Sequence, residues 1–193
     1  MNFLKDLDIE VYDGVYKPAE DTYLLLDLLE LNGVENVLEI GCGTGIISIH
    51  CGSLGCEVLS VDKNKKALEN TEFNAKKNDI DISVKRSDLF SEIKKKDWDV
   101  IIFNPPYLPE AELLNKDDRW DGGKRGDELI VKFLDEAATH LCDQGELYFC
   151  YSSLSPTEEI EKIIEEHYEV VDGQKEEFFY ESLYGKRLKK STG

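Results

Sequence analysis

The chain alternates between stretches with helical spacing and short, strand-like apolar runs. Five of the six leucines between positions 24 and 31 fall on one helical face. Pro18 suits the first turn of that helix, because its ring already holds a helical φ angle. The run Asp99–Phe103 is almost continuously apolar, which is typical of a buried parallel strand. The pattern therefore predicts helices that alternate with strands.

The same reading assigns the remaining elements. The predicted strands are Asn36–Ile40, Glu57–Val61, Ile82–Lys85 near an edge of the sheet, Asp99–Phe103 and Glu146–Tyr151, with a closing β-hairpin over Tyr168–Leu188. The predicted helices that follow the first one are Ile46–Leu54, Asn64–Asn78, Asp127–Leu141 and Pro156–His167. Elements in this order form an α/β fold with a mostly parallel sheet covered on both faces. Ligands of such sheets bind outside the carboxyl ends of the strands.

A chain of 193 residues suits one domain, predicted here over 1–193, with an N-terminal extension and helix at 1–35 packed on it. The chain begins with a mixed, acidic segment rather than a basic and apolar leader. Its apolar runs are too short to cross a bilayer. We therefore expect a cytoplasmic protein that does not contact membranes.

Charge and cysteine content narrow the possible partners. The chain has 41 acidic and 23 basic residues, a net charge of −18. This charge disfavours nucleic acid as the main partner and favours a basic protein. The five cysteines are an odd number and contain no pair with the spacing of a zinc site. We expect reduced thiols and no metal.

A glycine-rich loop follows the first predicted strand and reads Gly41-Cys42-Gly43-Thr44-Gly45. Glycines permit a tight turn and a close approach of a ligand to the backbone. A dinucleotide-binding fingerprint would require another glycine at position 46, which is Ile46. The G-x-G-x-G loop therefore favours S-adenosyl-L-methionine over NAD.

Two carboxylates follow the next strands. Asp62 ends the second strand about 20 residues after the loop, where a carboxylate can accept hydrogen bonds from both ribose hydroxyls. Asp88 follows the third strand, with Leu89 beside it, and could meet an adenine amino group or simply cap the turn that follows. Both positions are consistent with a nucleoside-containing cofactor.

Asn104-Pro105-Pro106-Tyr107 leaves the end of the fourth strand and is the most specific signal in the chain. The prolines stiffen the loop. The side-chain oxygen of Asn104 and the carbonyl of Pro105 can accept the two N–H bonds of one planar NH₂ group, which Tyr107 can cover. Such a loop would position an amide or amino nitrogen for methylation without a strong general base.

The chain resembles the HemK/PrmC-type protein-(glutamine-N5) methyltransferases, above all the short archaeal and eukaryotic branch that lacks the bacterial N-terminal helical domain. The resemblance covers nearly the whole chain from about Val11. It is carried by Val15–Asp27, Leu38–Gly45, and the segment from Asn104 through Trp120–Gly126.

This resemblance implies a Rossmann-like seven-stranded class I fold, S-adenosyl-L-methionine as cofactor, and the glutamine of the GGQ motif of a class I translation release factor as substrate. It further implies a set of residues that contact the cofactor or lie beside it: Thr22, Glu39, Gly41, Cys42, Gly43, Gly45, Asp62, Asp88, Leu89 and Asn104. The implied catalytic and substrate-binding residues are Asn104, Pro105, Pro106, Tyr107, Gly122 and Gly123. On spacing alone, Gly122 and Gly123 suit a substrate clamp or a plain loop equally well.

Some members of this branch work with a small zinc-binding activator protein, for which the third strand, at Ile82–Val84, is the candidate contact. An adenine-N6 DNA or RNA methyltransferase is the alternative, since such enzymes share the Asn-Pro-Pro-Tyr sequence. That class needs a basic face to hold the nucleic acid backbone. Short lysine runs at Lys94–Lys96 and Lys186–Lys190 are the only visible candidates, and both are typical of solvated surface.

Overall fold

The computed structural model describes residues 7–106 and 127–191. Its strands are β1 (Asn36–Ile40), β2 (Glu57–Asp62), β3 (Ser83–Arg86), β4 (Trp98–Phe103), β5 (Leu141–Ser152), β6 (Tyr168–Glu177) and β7 (Ser182–Lys190). Its helices are α1 (Glu20–Leu28), α2 (Ile46–Ser53), α3 (Lys65–Lys77), α4 (Glu128–Ala138) and α5 (Thr157–His167).

The seven strands form one sheet in the order β3-β2-β1-β4-β5-β7-β6. Strands β1 to β5 pair in parallel, whereas β7 is antiparallel to β5 and to β6. The predicted mostly parallel α/β sheet with a C-terminal hairpin is therefore confirmed, as is the edge position of β3. The strand order reverses at β1, because β2 and β3 lie on one side of it and β4 lies on the other. A crevice therefore forms outside the carboxyl ends of β1 and β4.

Several predicted boundaries differ from the structure, those of α1 and β5 among them. Helix α1 ends at Leu28 rather than near Leu31, because the backbone of Leu29 is extended (φ −66°, ψ 124°). Strand β5 begins at Leu141 rather than Glu146, because Leu141 pairs with Trp98 ahead of a register shift. The polar residues Asp143 and Gln144 near this shift interrupt the apolar run, so the apolar pattern did not predict the start of β5.

Alternating side chains of the sheet feed a hydrophobic cluster on each face. In β4, Ile101 and Phe103 pack with α4 and α5, while Val100 and Ile102 pack with α1 and α2. This period of two is the strand geometry expected for a sheet buried on both sides. The clusters hold β4 rigidly, so the residue that follows it has a defined position.

An asparagine ladder ties the N-terminal segment to α3. Asn70, Asn74 and Asn78 are spaced one helical turn apart, and their Oδ1 atoms accept hydrogen bonds from the backbone N–H groups of positions 12, 10 and 8 at 2.9, 2.9 and 2.8 Å. Their Nδ2 groups donate back to the carbonyls of Glu10 and Asp8. The ladder carries the chain towards the crevice, where positions 14–16 line a cavity.

All five cysteines are free thiols, as expected from their number. Across residues 7–106 and 127–191 no group of three potential metal ligands comes together. Within those same ranges no helix is long and apolar enough to cross a membrane. The assignment of 1–193 to one domain stays a prediction, although α1 does pack on the sheet through Leu25 and Leu28.

Candidate active site

A cavity of about 450 Å³ lies at the carboxyl ends of β1, β2 and β4. This volume is in the range of sites that enclose small-molecule ligands. Ten of the residues predicted to bind cofactor or substrate line it: Thr22, Glu39, Gly41, Cys42, Gly43, Asp62, Asp88, Leu89, Asn104 and Pro105. Pro106 also lines it. The structure thus gathers residues from five separate segments of the chain around one space.

The glycine-rich loop forms one wall of this cavity. Gly41 has a φ angle of 69°, and a Cβ atom there would lie 3.2 Å from the ring of Phe103. Gly43 also has a positive φ angle, but open space surrounds its Cα. The loop is anchored by the N–H groups of Gly41 and Cys42, which both donate to the carbonyl of Val61. Its conformation therefore requires glycine at these two positions.

Gly45 is the one predicted residue of this loop that does not line the cavity. It precedes α2 with a φ angle of 81°, and a Cβ atom there would lie 2.7 Å from the side chain of Thr71. Its glycine character is explained by the close packing of the loop on α3. The hydroxyl of Thr71 also donates to the carbonyl of Gly43, at 3.2 Å.

The carboxylate of Asp62 contacts the glycine-rich loop at Gly43. Its Oδ2 accepts a hydrogen bond from Gly43 N at 3.2 Å, and its Oδ1 accepts one from Asn64 N at 2.8 Å. Burial raises the pKa of Asp62 despite these hydrogen bonds. Each oxygen keeps a second lone pair, so the side chain is suited to accept hydroxyl groups from a ligand in the cavity.

Glu39 lies deeper, with only 3% of its surface exposed. Its Oε2 accepts hydrogen bonds from the backbone N–H of Ser48, at 3.0 Å, and from the Ser48 hydroxyl. Ser60 donates in turn to Ser48 Oγ at 2.5 Å. Burial raises the pKa of Glu39 to about 8, and the nearby Asp62 adds to the effect. Desolvation therefore favours the protonated, neutral form of this carboxyl group.

Asp88 and Leu89 line the cavity beyond the end of β3. Leu89 adopts a left-handed conformation, with a φ angle of 47°. The hydroxyl of Ser87 donates to Leu89 O at 2.7 Å and accepts from Glu92 N at 3.1 Å. Since Ser87 makes the hydrogen bonds that close this turn, the alternative role of Asp88 as its cap is not required. The exposed Asp88 side chain lines the cavity.

Asn104 follows β4 and is held from two sides. Its Nδ2 donates to Thr22 Oγ1 at 3.2 Å, and its Oδ1 accepts from the thiol of Cys150 at 2.8 Å. Thr22 and Cys150 are both buried. Burial also raises the pKa of the Cys150 thiol, which keeps it protonated and able to donate.

The orientation of the Asn104 amide depends on Asp21. The carboxylate of Asp21 accepts from the hydroxyl of Tyr16 at 2.8 Å, from Thr22 N at 2.6 Å and from Thr22 Oγ1 at 3.2 Å. Because the Thr22 hydroxyl gives its proton to Asp21, its oxygen can only accept from Asn104. The Nδ2 side of Asn104 must therefore face Thr22.

Sequence reasoning assigned no role to Tyr16, Asp21 or Cys150, although Tyr16 and Asp21 belong to one of the segments that carried the resemblance. Asp21 belongs to the acidic first turn of α1, beside Glu20, so its position gave no signal that it is buried. No local signal marked Cys150, since it lies 46 residues from Asn104 along the chain. Three of the predicted residues, Tyr107, Gly122 and Gly123, lie outside the described residues.

The sequence matches the methyltransferase small domain over residues 14–180. The chain belongs to the methyltransferase small domain family, in its HemK-type branch of protein N5-glutamine methyltransferases. It is 40% identical over 161 residues to a Methanocaldococcus jannaschii protein, MJ0928, whose name gives protein N5-glutamine methyltransferase as its assigned activity. That match covers 81% of each chain.

A further relative agrees with this assignment, and a solved structure has the same fold. The human methyltransferase HEMK2 is 34% identical over 168 residues, which cover 79% of this chain and 78% of the human one. A crystal structure of a methyltransferase from Pyrococcus furiosus superimposes with a TM-score of 0.73 at 23% identity, covering 94% of this chain and 88% of the other. The latter supports the Rossmann-like fold. The protein is thus an S-adenosyl-L-methionine-dependent methyltransferase.

The cavity fits this cofactor. Its volume is adequate, Asp62 offers carboxylate oxygens beside the glycine loop, and the absence of a Cβ atom at Gly41 and Gly43 opens the backbone to a ligand. Asp88 and Leu89 add a polar and an apolar side chain to the lining. These residues would hold the nucleoside part of S-adenosyl-L-methionine.

Proposed function

We propose that this protein methylates the side-chain amide nitrogen of a glutamine, and that this glutamine belongs to the GGQ motif of a class I peptide chain release factor. The names of the relatives MJ0928 and HEMK2 support a glutamine methyltransferase of the HemK type. The release factor as substrate comes from the resemblance of the Asn104 loop and its flanking segments to that branch. Release factors act on ribosomes, so the proposal keeps the expected cytoplasmic location.

The orientation of the Asn104 amide is the single observation that carries the proposal. With Nδ2 committed to Thr22, Oδ1 is the acceptor, and its second lone pair is available beside the Pro105 carbonyl. A planar amide NH₂ has two N–H bonds, and these two oxygens would accept one each. A hydroxyl or thiol acceptor would leave one of them unsatisfied. The loop is therefore suited to a planar NH₂ group, and the names of the relatives favour a glutamine amide over an adenine amino group.

The chemistry then rests on positioning. S-adenosyl-L-methionine, when bound, supplies an electrophilic methyl group. Asn104 and Pro105 hold the amide nitrogen, and their hydrogen bonds favour localisation of its lone pair. Pro106 stiffens the loop. By the resemblance, Tyr107 would cover the amide plane, and Gly122 and Gly123 would lie along the substrate backbone; these three assignments stay predictions.

Transfer of labelled methyl groups tests the proposal directly. The acceptors are a release factor with an intact GGQ motif, the same factor with the glutamine replaced by alanine, and duplex DNA or RNA. Labelling of the intact factor alone, located to the glutamine by mass spectrometry, is the expected result. Labelling of nucleic acid would instead establish the alternative adenine-N6 activity. Labelling of both protein variants would move the modification to another residue.

A small zinc-binding activator is a further part of the proposal. Strand β3 pairs with β2 at one edge of the sheet, and Ile82 just before it is half-buried against α2, so the edge offers backbone groups and apolar surface to a partner. Co-expression with such a protein should raise the yield and activity of this chain. An unchanged yield and rate would remove the activator from the proposal.

A further inference from the structure

The turn between β6 and β7 carries an unusual set of side chains. Residues 178–181 read Phe-Phe-Tyr-Glu, whereas turns normally contain glycine, proline, asparagine, aspartate or serine. Phe179 is 90% exposed and Tyr180 is 85% exposed. Their rings pack edge to face at 4.6 Å, which holds them together while both face outward. Exposed aromatic pairs of this kind are typical of interaction surfaces.

This turn lies at the same end of the sheet as Asn104, the end where the parallel strands have their carboxyl termini. Strand β7 is antiparallel to β5, so it begins where β5 ends, and the amide of Ser153 donates to Ser182 O at 2.8 Å. Leu154, also exposed, follows in the same loop. We call Leu154, Phe179 and Tyr180 the hairpin patch. The patch lies beyond the carboxyl end of β5, the neighbour of β4, and β4 leads into the catalytic loop.

Acidic residues surround the hairpin patch. Glu158 and Glu159 are exposed in the first turn of α5, which begins beside Leu154. Glu176 is exposed at the end of β6. The nearby Lys175 is already paired with Glu177, at 2.5 Å. An apolar centre with acidic surroundings complements a protein segment that carries apolar and basic side chains.

We propose that the hairpin patch and the surrounding glutamates form the docking surface for the protein substrate, and that they bind a basic and apolar segment near the methylated glutamine. This inference rests on the proposed function. The turn connects β6 and β7, which lie three and two strands beyond β4 in the sheet, about 10–15 Å across it. Phe103 pairs with Phe149 and Phe149 with Lys186, so Ser182, where the turn ends, lies four residues, or about 13 Å, beyond the end of β4 along the strands. The turn is therefore about 20 Å from the catalytic loop, a distance that an extended chain covers in about six residues.

The kinetics of a Phe179→Ser/Tyr180→Ser double variant on the intact release factor test this surface. We expect the KM for the factor to rise about tenfold, because such aromatic contacts carry much of the energy of an interface. The kcat and the affinity for S-adenosylhomocysteine should not change. Val34→Ser is the matched control, since Val34 is 83% exposed and lies just before β1, at the amino ends of the parallel strands.

A charge variant tests the glutamates separately. Glu158→Gln/Glu159→Gln/Glu176→Gln should raise the KM severalfold at low ionic strength, and the difference should shrink in concentrated salt. The matched control is Glu165→Gln/Glu166→Gln, which removes two exposed charges from the other end of the same helix. That control should leave the KM as it is.

The outcomes separate the two proposals. If the unaltered enzyme methylates the factor and the aromatic double variant does so with the same KM, the docking surface is wrong and the proposed function stands. A drop in kcat or in S-adenosylhomocysteine affinity at an unchanged KM would also overturn it, since the turn would then support the fold. If the unaltered enzyme does not methylate the factor, both proposals fail together.

Discussion

At the carboxyl ends of β1 and β2, the polar groups around the cavity are hydrogen-bonded to the protein itself, whereas the side chains of the β6–β7 turn face outward. Glu39 and Asp62 each accept hydrogen bonds from the backbone, and the asparagine ladder ties down the chain that leads to the cavity. Phe179 and Tyr180 contact each other across an exposed turn instead.

The difference follows from what each region has to bind. The same small cofactor binds in every catalytic cycle. A preorganised cavity avoids the free-energy cost of ordering side chains each time it binds. A protein substrate approaches from solvent and supplies the missing half of its own interface. Changes in the cavity should therefore alter the rate, the cofactor affinity or the stability, while changes at the turn should alter only substrate affinity.

The largest effect is expected at Asn104, which lines the cavity and would hold the substrate amide. Asn104→Ala removes one acceptor for the amide, and we expect kcat to fall about 10²–10³-fold, comparable to the loss of one preorganised hydrogen-bonding group in other active sites. Methyl transfer at saturating cofactor measures it, with calorimetry of S-adenosylhomocysteine binding to show an intact cavity. A normal rate in this variant would exclude the mechanism proposed for the loop.

Glu39 should make stability depend on pH. Burial raises its pKa from an ordinary 4.5 to about 8, so the folded protein binds more protons than the unfolded chain between these values. The free energy of unfolding should therefore fall as pH rises from 4.5 to 8, on the order of a few kcal/mol. Denaturant titrations of the cofactor-free protein and of Glu39→Gln, which keeps the Ser48 hydrogen bonds, isolate this contribution. Parallel profiles for the two proteins would contradict it.

Asp62 should act on cofactor affinity. Asp62→Ala removes the carboxylate expected to accept the ribose hydroxyls, and the affinity for S-adenosylhomocysteine should fall about 10- to 100-fold, as for hydrogen bonds to a charged group. Isothermal titration calorimetry provides the measurement. Asp81→Ala, an exposed carboxylate just before β3, serves as the control and should bind normally. Equal affinity in both variants would remove Asp62 from the cofactor site.

The smallest of these effects is expected at Thr22. Thr22→Val removes the acceptor that orients Asn104, and we expect kcat to fall about tenfold, which corresponds to roughly 1.4 kcal/mol in the activation free energy. Thr22→Ser keeps the hydroxyl and should restore the rate. A raised KM for S-adenosyl-L-methionine with kcat unchanged would instead assign Thr22 to cofactor binding, the role that the resemblance implied.

Local features of the chain predicted much of the fold and part of the site. Hydrophobic periodicity located the strands and most of the helices, because a buried strand and an amphipathic helix repeat with different periods. The glycine spacing at 41–45 and the proline-stiffened loop after Asn104 showed where chemistry would occur, because both depend on backbone conformations that few residues allow. The start of β5 was missed because its pairing with β4 decides it, and the end of α1 was missed because the leucine pattern continues past Leu29, where the backbone becomes extended.

The sequence by itself determined the α/β order, the glycine loop and the acidic character of the protein, since each depends on neighbouring residues or on composition alone. Only the tertiary structure decided which distant groups meet. Thr22 and Asn104 are 82 residues apart along the chain, and the asparagines of α3 bond to a segment about 60 residues earlier. Sheet register and helix packing bring such groups within hydrogen-bond distance, and no local pattern encodes those contacts. The same sheet pairing places the turn with Phe179 and Tyr180 at the end of the sheet where Asn104 lies.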